Sequence, residues 1–266
     1  MNRTDDKRKF SPEEHLGMVK ASWNAYQPAR MEFMLQARPD FYQFYANGGI
    51  NLSDYEIELL GDVRGLKLLD IGCACDAVQA FSWANLGADV TACDICPAAI
   101  EIARENARKI DLPVKFILAD SQTLTPIPDG EFDIVYATYL CWLEDIFKAC
   151  RAWYRVLKPG GRLLLVQYHP VVACLEERDG SLFVVRNYHD RTPEYSDSFG
   201  GTPIADKFGG WNVDLPIVEF FHTIADIVNA IAEAGFRIER MLETEEPDQT
   251  IMAKLPEMIA IVGRKA

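Results

Sequence analysis

Three acidic residues close short apolar runs in the first half of the chain. Asp70-Ile71-Gly72-Cys73-Ala74-Cys75-Asp76 ends the run that begins at Leu66, Asp94 follows Asp89 to Cys93, and Ala119-Asp120-Ser121 follows Val114 to Leu118. Asp94 lies 22 residues after Gly72. An acid at that spacing from a tight glycine turn is placed to accept both hydroxyls of a ribose, while N–H groups of the turn approach the rest of an adenosine ligand. Asp120 with Ser121 is placed to hydrogen-bond an adenine amino group. Each signal alone is weak. Their order becomes specific when Phe132-Asp133-Ile134-Val135-Tyr136-Ala137 and Leu157-Lys158-Pro159-Gly160-Gly161 follow them.

Other side chains could do chemistry beside these. His169 follows the fifth apolar run and titrates near neutrality, so it is a candidate to take a proton from an oxygen or nitrogen nucleophile, with a capping role at the His169-Pro170 turn as the alternative. Tyr139 and Trp142, after the fourth run, are expected to wall a substrate pocket. His15 is expected to be exposed, and His189 and His222 to be structural or rim residues. The seven cysteines are 73, 75, 93, 96, 141, 150 and 174, and five of them fall at run ends. Cys73-x-Cys75 with Cys93-x-x-Cys96 has a spacing open to zinc or an iron–sulfur centre. Packing as small hydrophobes is the preferred reading, because a metal would fill the space the ligand needs, and no metal is expected.

The elements that must position these residues form an alternation of strands and helices, the mark of a parallel α/β sheet with right-handed crossovers. Leu66 to Ile71, Asp89 to Cys93, Val114 to Leu118, Phe132 to Ala137 and Arg162 to Tyr168 read as strands. Ala77 to Leu86, Cys96 to Lys109 and Glu144 to Leu157 read as the helices between them, with Pro97 at a first helical position and glycines at the stops. A helix from Thr223 to Ala234 and strands Phe236 to Leu242 and Met258 to Val262 complete the sheet. Ser11 to Leu60 is helix-like and aromatic. His169 to Glu219, 51 residues without a clear period, is expected to be a lid or substrate-binding insertion. The expected division is an N-terminal helical cover (1–60), a ligand-binding core (61–168), the insertion (169–219) and a closing helix and strands (220–266).

With 27 basic and 40 acidic residues the net charge is −13, which repels a phosphate backbone at long range. No run of about 18 apolar residues is present, and Met1 to Phe10 lacks a secretory apolar core, so no membrane span and a cytoplasmic location are expected. An odd cysteine count in a chain of 266 residues fits reduced thiols.

On the three acids, the glycine turn and the Lys158-Pro159-Gly160-Gly161 step, the sequence resembles the class I S-adenosylmethionine-dependent methyltransferases, strongly over Leu59 to Tyr168. The resemblance implies an α/β, Rossmann-like, doubly wound and mostly parallel seven-stranded sheet with helices on both faces, an N-terminal cover and a lid insertion after strand five. It implies S-adenosylmethionine as cofactor, held by Asp70, Gly72, Cys73, Ala74, Asp94, Ile95, Asp120, Ser121 and Thr138. His169 and Tyr139 become the catalytic candidates, and Trp23, Tyr26, Trp142 and His169 the substrate-side ones. Trp23 and His169-Pro170 look like features of a subgroup acting on small molecules. The chain lacks the motifs of nucleobase methylation after strand four, where it reads Thr138-Tyr139-Leu140-Cys141. A small-molecule acceptor and no nucleic-acid partner are therefore expected.

One departure stands in the turn. Where the family repeats glycine, this chain has Ala74 and Asp76. If the backbone at 74 needs φ > 0, alanine costs on the order of 1 kcal/mol there. Asp76 is expected to add a negative charge near the cofactor's ammonium. The turn reads as modified but working, with a non-catalytic binding protein of the same fold as the alternative. A nicotinamide-dependent oxidoreductase is weaker, since Gly-x-Gly-x-x-Gly is absent.

Overall fold

The computed structural model describes residues 10–196, 217–245 and 254–266. The centre of the insertion and the first nine residues, both covered by expectations above, lie outside them. Five strands, β1 (Lys67–Ile71), β2 (Asp89–Asp94), β3 (Lys115–Leu118), β4 (Phe132–Thr138) and β5 (Leu157–Tyr168), run parallel. Strand β11 (Pro256–Lys265) then pairs antiparallel with both β5 and β10 (Phe236–Glu245), giving a seven-stranded sheet in the order β10-β11-β5-β4-β1-β2-β3. The order reverses between β1 and β4. Their carboxyl ends therefore flank the crevice in which open α/β sheets take ligands.

Strand side chains alternate between the two faces, which is why the central strands are apolar throughout. Leu68, Leu164 and Ala260 pack with α4 (Val78–Asn85), α5 (Pro97–Ile110) and α2 (Phe41–Ala46), through Phe81, Trp83, Ile100, Phe41 and Tyr45. Leu69, Leu163, Leu165 and Ile261 face α6 (Ile146–Val156) and the last helix, α7 (Ile224–Glu233), through Ala149, Trp153, Ile227 and Ile231. Full burial of each such side chain is worth about 1.5–3 kcal/mol, so the two apolar layers fix the register of the strand ends.

The step into β5 differs from the reading as helix, break and strand from Arg162. The strand begins at Leu157 and carries Lys158-Pro159-Gly160-Gly161 within it, across a register irregularity against β4. Lys158 Nζ sits 2.8 Å from both carboxylate oxygens of Asp133, and a Cβ at Gly161 would lie 2.9 Å from the Lys158 carbonyl oxygen. The helix does end at Val156, and Gly161 in addition allows a close approach of backbone.

The N-terminal region folds as α1 (Pro12–Ala37), α2 and α3 (Asp54–Leu60). Helix α1 starts in a capping box, with the Ser11 N–H donating to Glu14 Oε2 at 2.7 Å and the Glu14 N–H to Ser11 Oγ at 3.3 Å. The insertion holds a 3₁₀ turn (Val172–Cys174), a hairpin of β6 (Leu175–Arg178) and β7 (Ser181–Val184), and the antiparallel pair β8 (Glu194–Ser196) with β9 (Ile217–Glu219).

His15 is buried at 5 % exposure rather than exposed. Its Nδ1 is 2.8 Å from Glu144 Oε1 and its Nε2 2.7 Å from the Tyr195 hydroxyl, so it clasps α1, the segment before α6 and the insertion together. The two polar partners explain the burial, since a buried ring nitrogen without one is costly. No helix among the described residues is long and apolar enough to cross a membrane.

Candidate active site

Gly72, Cys73, Ala74, Cys75 and Asp76 form the turn from β1 into α4. Gly72, Ala74 and Ala77 all take positive φ, at 76°, 53° and 44°. The Gly72 and Cys73 N–H groups donate to the Cys93 carbonyl on β2, at 2.8 and 3.1 Å, which pins the turn to the neighbouring strand end. Asp94, only 8 % exposed, then ties the two tips together. Its Oδ2 accepts the Ala74 N–H at 3.0 Å and its Oδ1 the Cys96 N–H at 2.9 Å. The Cys96 side chain donates to the carboxylate as well, and of its roughly four lone-pair positions one is left for a hydroxyl. Burial nonetheless raises the Asp94 carboxyl above its ordinary pKa, against the pull of those two amides.

Asp70 lies deeper. Its Oδ2 is buried without a hydrogen-bond partner, and burial, with Asp94 and Asp76 adding to it, pushes its pKa up to about 8. A cationic group bound beside it would favour the ionised carboxylate and satisfy the orphaned oxygen.

Helix α1 crosses these tips. The Cys75 N–H donates to Gln27 Oε1 at 2.9 Å, the Cys75 thiol to the Gln27 carbonyl at 3.1 Å, and the Ala98 N–H at the start of α5 to Asn24 Oδ1 at 2.9 Å. Arg30 reaches Asp76 Oδ2 with Nη2 at 2.9 Å and Nε at 3.1 Å. Arg30 thus takes up the charge expected at Asp76 through one carboxylate oxygen, while Asp76 Oδ1 is buried without a hydrogen-bond partner, as Asp70 Oδ2 is. Asn24, Gln27 and Arg30 did not stand out in the sequence. The available signal was three polar residues at three-residue spacing beside Trp23 and Tyr26.

Trp23 and Tyr26 are in edge contact with ring centroids 5.7 Å apart, Tyr26 packs with Ile217 of β9, and Trp23 meets Trp142 edge-on at 6.4 Å. Trp142 lies directly over the turn, since a Cβ at Gly72 would be 3.0 Å from its ring. Further along α1, Glu13, Leu16, Gly17 and Lys20 form one wall of an open groove of about 520 Å³. The other wall is Ile95 beyond β2, Leu118, Ala119 and Asp120 at the end of β3, and Thr123, Thr125 and Pro126 after them. Asp120 holds the local turn through Oδ1, which accepts the Gln122 N–H at 2.9 Å. Ser121 is buried, and its carbonyl accepts the Trp153 indole N–H at 2.9 Å.

At the β4 and β5 ends the geometry is different. Thr138 is buried at the end of β4, paired with Val166. Tyr139 next to it adopts φ 53°, uncommon for an aromatic residue, and packs against Tyr168 with the rings tilted at 39° and centroids 5.2 Å apart. Burial raises its phenol well above the ordinary value, so it carries its proton. His169 was a candidate base. Its Nδ1 accepts the Val171 N–H at 3.2 Å and its Nε2 lies 3.0 Å from Glu243 Oε1. With Nδ1 accepting, Nε2 must be the protonated donor, and no lone pair is left for a substrate in this arrangement. The ring serves the His-Pro turn. Among the described residues no cluster of three or more histidine, cysteine or acidic side chains is arranged to hold a metal ion, and all seven cysteines are free thiols.

Residues 69–165 match the family model described as a methyltransferase domain. The chain is 33% identical over 159 residues to demethylmenaquinone methyltransferase of Thermus thermophilus, covering 59% of this chain and 68% of that one. It is 30% identical over 126 residues to phosphoethanolamine N-methyltransferase 3 of Arabidopsis thaliana, covering 47% of this chain but only 26% of that protein's length. Among solved structures, an S-adenosylmethionine-dependent methyltransferase from Mesorhizobium loti superposes with TM-score 0.60 at 22% identity, covering 78% of this chain and 94% of that one, a likeness of fold.

Proposed function

From the premise that the chain belongs to the class I S-adenosylmethionine-dependent methyltransferases, we propose that it transfers a methyl group to an oxygen, nitrogen or sulfur nucleophile of a small molecule. The observation that carries this reading is the meeting of three strand ends beneath α1: Asp70 with an orphaned buried oxygen, Asp94 bridging two backbone amides, and Asp120 in the wall of an open groove.

These residues fit the cofactor. Asp70 would take its ammonium, Asp94 its ribose, and Ile95 with Asp120 and Ser121 its adenine, while Gly72, Cys73 and Ala74 offer backbone to the methionine part. When bound, S-adenosylmethionine supplies a methyl group already activated by a sulfonium. The protein's share is alignment and exclusion of water, worth at most about 7–11 kcal/mol from positioning. Trp142, Trp23 and Tyr26 form the dry wall over the turn, and Tyr139 with Tyr168 forms an aromatic platform at the adjoining strand ends. Tyr139, as a protonated phenol, orients an acceptor by donating to it. His169 holds the turn behind that platform. No basic side chain is assigned to take a proton from the acceptor, so acceptors that ionise readily, such as thiols, suit the site better than alcohols.

Calorimetric titration with S-adenosylhomocysteine and with NAD tests the cofactor assignment. Binding of the first alone is expected, and binding of neither would make the chain a degenerate member of its family. A panel of thiol, amine, phenol and activated-carbon acceptors, read by formation of S-adenosylhomocysteine, then tests the acceptor class. Turnover confined to carbon acceptors would overturn the stated nucleophile set.

A further inference from the structure

The groove beneath the first turns of α1 is open, and the helix that roofs it lies outside the matched residues 69–165. Its central residue is Gly17, six positions after the capping Ser11 and deep within a helix that continues to Ala37. Glycine in a helix interior is destabilising relative to alanine, because it loses more backbone freedom on folding. Such a glycine usually buys space for a neighbour or a special backbone angle, and Gly17 has neither reason here. Its φ is not positive, and a Cβ built on it would meet no atom within 4 Å. Gly49, by contrast, would place a Cβ 2.5 Å from Phe44.

The space beside Gly17 faces Ile95, Ala119 and Asp120 across the groove. Ile95 and Asp120 are assigned above to the adenine end of the cofactor, and Ala119 adjoins Asp120. We propose that Gly17 is a specificity-determining position: it leaves the clearance under α1 into which the purine ring slides, with Leu16 and Lys20 as the flanking roof. The inference rests on the S-adenosylmethionine reading and adds that α1 selects the base from above. A side chain at position 17 would project into the gap between roof and strand ends and compete with the flat ring for it. The helix itself would gain from the substitution.

The two effects have opposite signs, and that makes the proposal testable with Gly17→Ala, Gly17→Leu and Gly17→Phe in the full chain. Thermal unfolding without ligand and calorimetric binding of S-adenosylhomocysteine and of adenosine are measured for each. The expected result is an unliganded Tm equal to or above that of the parent for all three. Affinity for both ligands should fall with side-chain size, within about threefold for alanine and by tenfold or more for phenylalanine. Should the phenylalanine variant not fold, the leucine variant carries the same reading, with an intermediate loss. Parent-like affinity in a folded leucine or phenylalanine variant overturns the roof while leaving the cofactor reading intact. Failure of the parent itself to bind S-adenosylhomocysteine overturns both.

Discussion

The two ends of the cleft under α1 are built differently. At the glycine-turn end the helix is fastened down: Gln27 on Cys75, Arg30 on Asp76, and Trp23 edge-on against Trp142, which lies over Gly72. At the β3 end it stands off, leaving the open groove beside Gly17 and Lys20. The turn that has lost two of its three expected glycines is the turn that α1 supports. A glycine-only turn approaches its ligand through bare backbone. Here the Ala74 N–H is bonded to Asp94, and the acidic substitution at 76 is neutralised from above. Departures from the glycine pattern and fastening by the cover are two halves of one arrangement, whereas the open end keeps the ordinary strand-tip chemistry and needs only clearance.

The largest expected effect comes from unfastening the closed end. Arg30→Met leaves Asp76, which is fully buried, without its cation. Removing one partner of a buried pair costs about 3–5 kcal/mol, and Arg30 is partly exposed, so the lower part of that range is expected in urea unfolding. Adding Asp76→Gly should recover most of the loss. A double variant as unstable as the single one would show that the fastening lies elsewhere.

Next in size is Asp94→Ala, which removes the group bridging the two ends. It should weaken S-adenosylhomocysteine binding by about 10- to 100-fold, or about 1.5–3 kcal/mol, in calorimetry. An unchanged affinity would detach the ribose from this strand tip.

Asp70 makes the comparison pH-dependent. Its folded pKa is raised to about 8, so the folded state keeps a proton that the unfolded chain releases near pH 4. Its contribution to stability is complete below about pH 4 and is lost as pH climbs toward 8, by at most about 1.4 kcal/mol per unit. Asp70→Asn, which mimics the protonated acid, should gain on the parent progressively over that window. Parallel stability curves for the two proteins would show that Asp70 is ionised in the folded state.

The smallest effect sharpens the account of the altered turn. Ala74 at φ 53° is in the left-handed region, so Ala74→Gly should raise the unliganded stability by about 1 kcal/mol. A loss instead would mean that the alanine methyl is held by contacts worth more than the backbone strain.

The sheet was legible because its strands are apolar runs bounded by glycine, proline and acidic residues, and burial on both faces leaves little choice of register. Asp70, Asp94 and Asp120 could be assigned to strand ends for the same reason. What could not be read was anything set by long-range polar pairing. His15 lies in a polar helical stretch and looks exposed until Glu144 and Tyr195, 129 and 180 residues away, arrive on either side of it. The same holds for Arg30 with Asp76, and for His169, whose Nε2 is committed to Glu243, 74 residues away. Lys158-Pro159-Gly160-Gly161 follows the end of α6 as its breakers imply, but it also belongs to β5, because the absent side chain at Gly161 admits the strand to close quarters with Asp133.

The bond from the Cys75 thiol to the Gln27 carbonyl has a practical use. This thiol has no exposure and burial holds it protonated, so a maleimide or disulfide reagent can attack it only after α1 has lifted from the turn. Its labelling rate is then a clock for that lifting. Under excess reagent the rate saturates at the opening rate itself, and under sparse reagent it reports the open fraction. One native sulfur atom thus measures how often the cover breathes, without a probe being introduced.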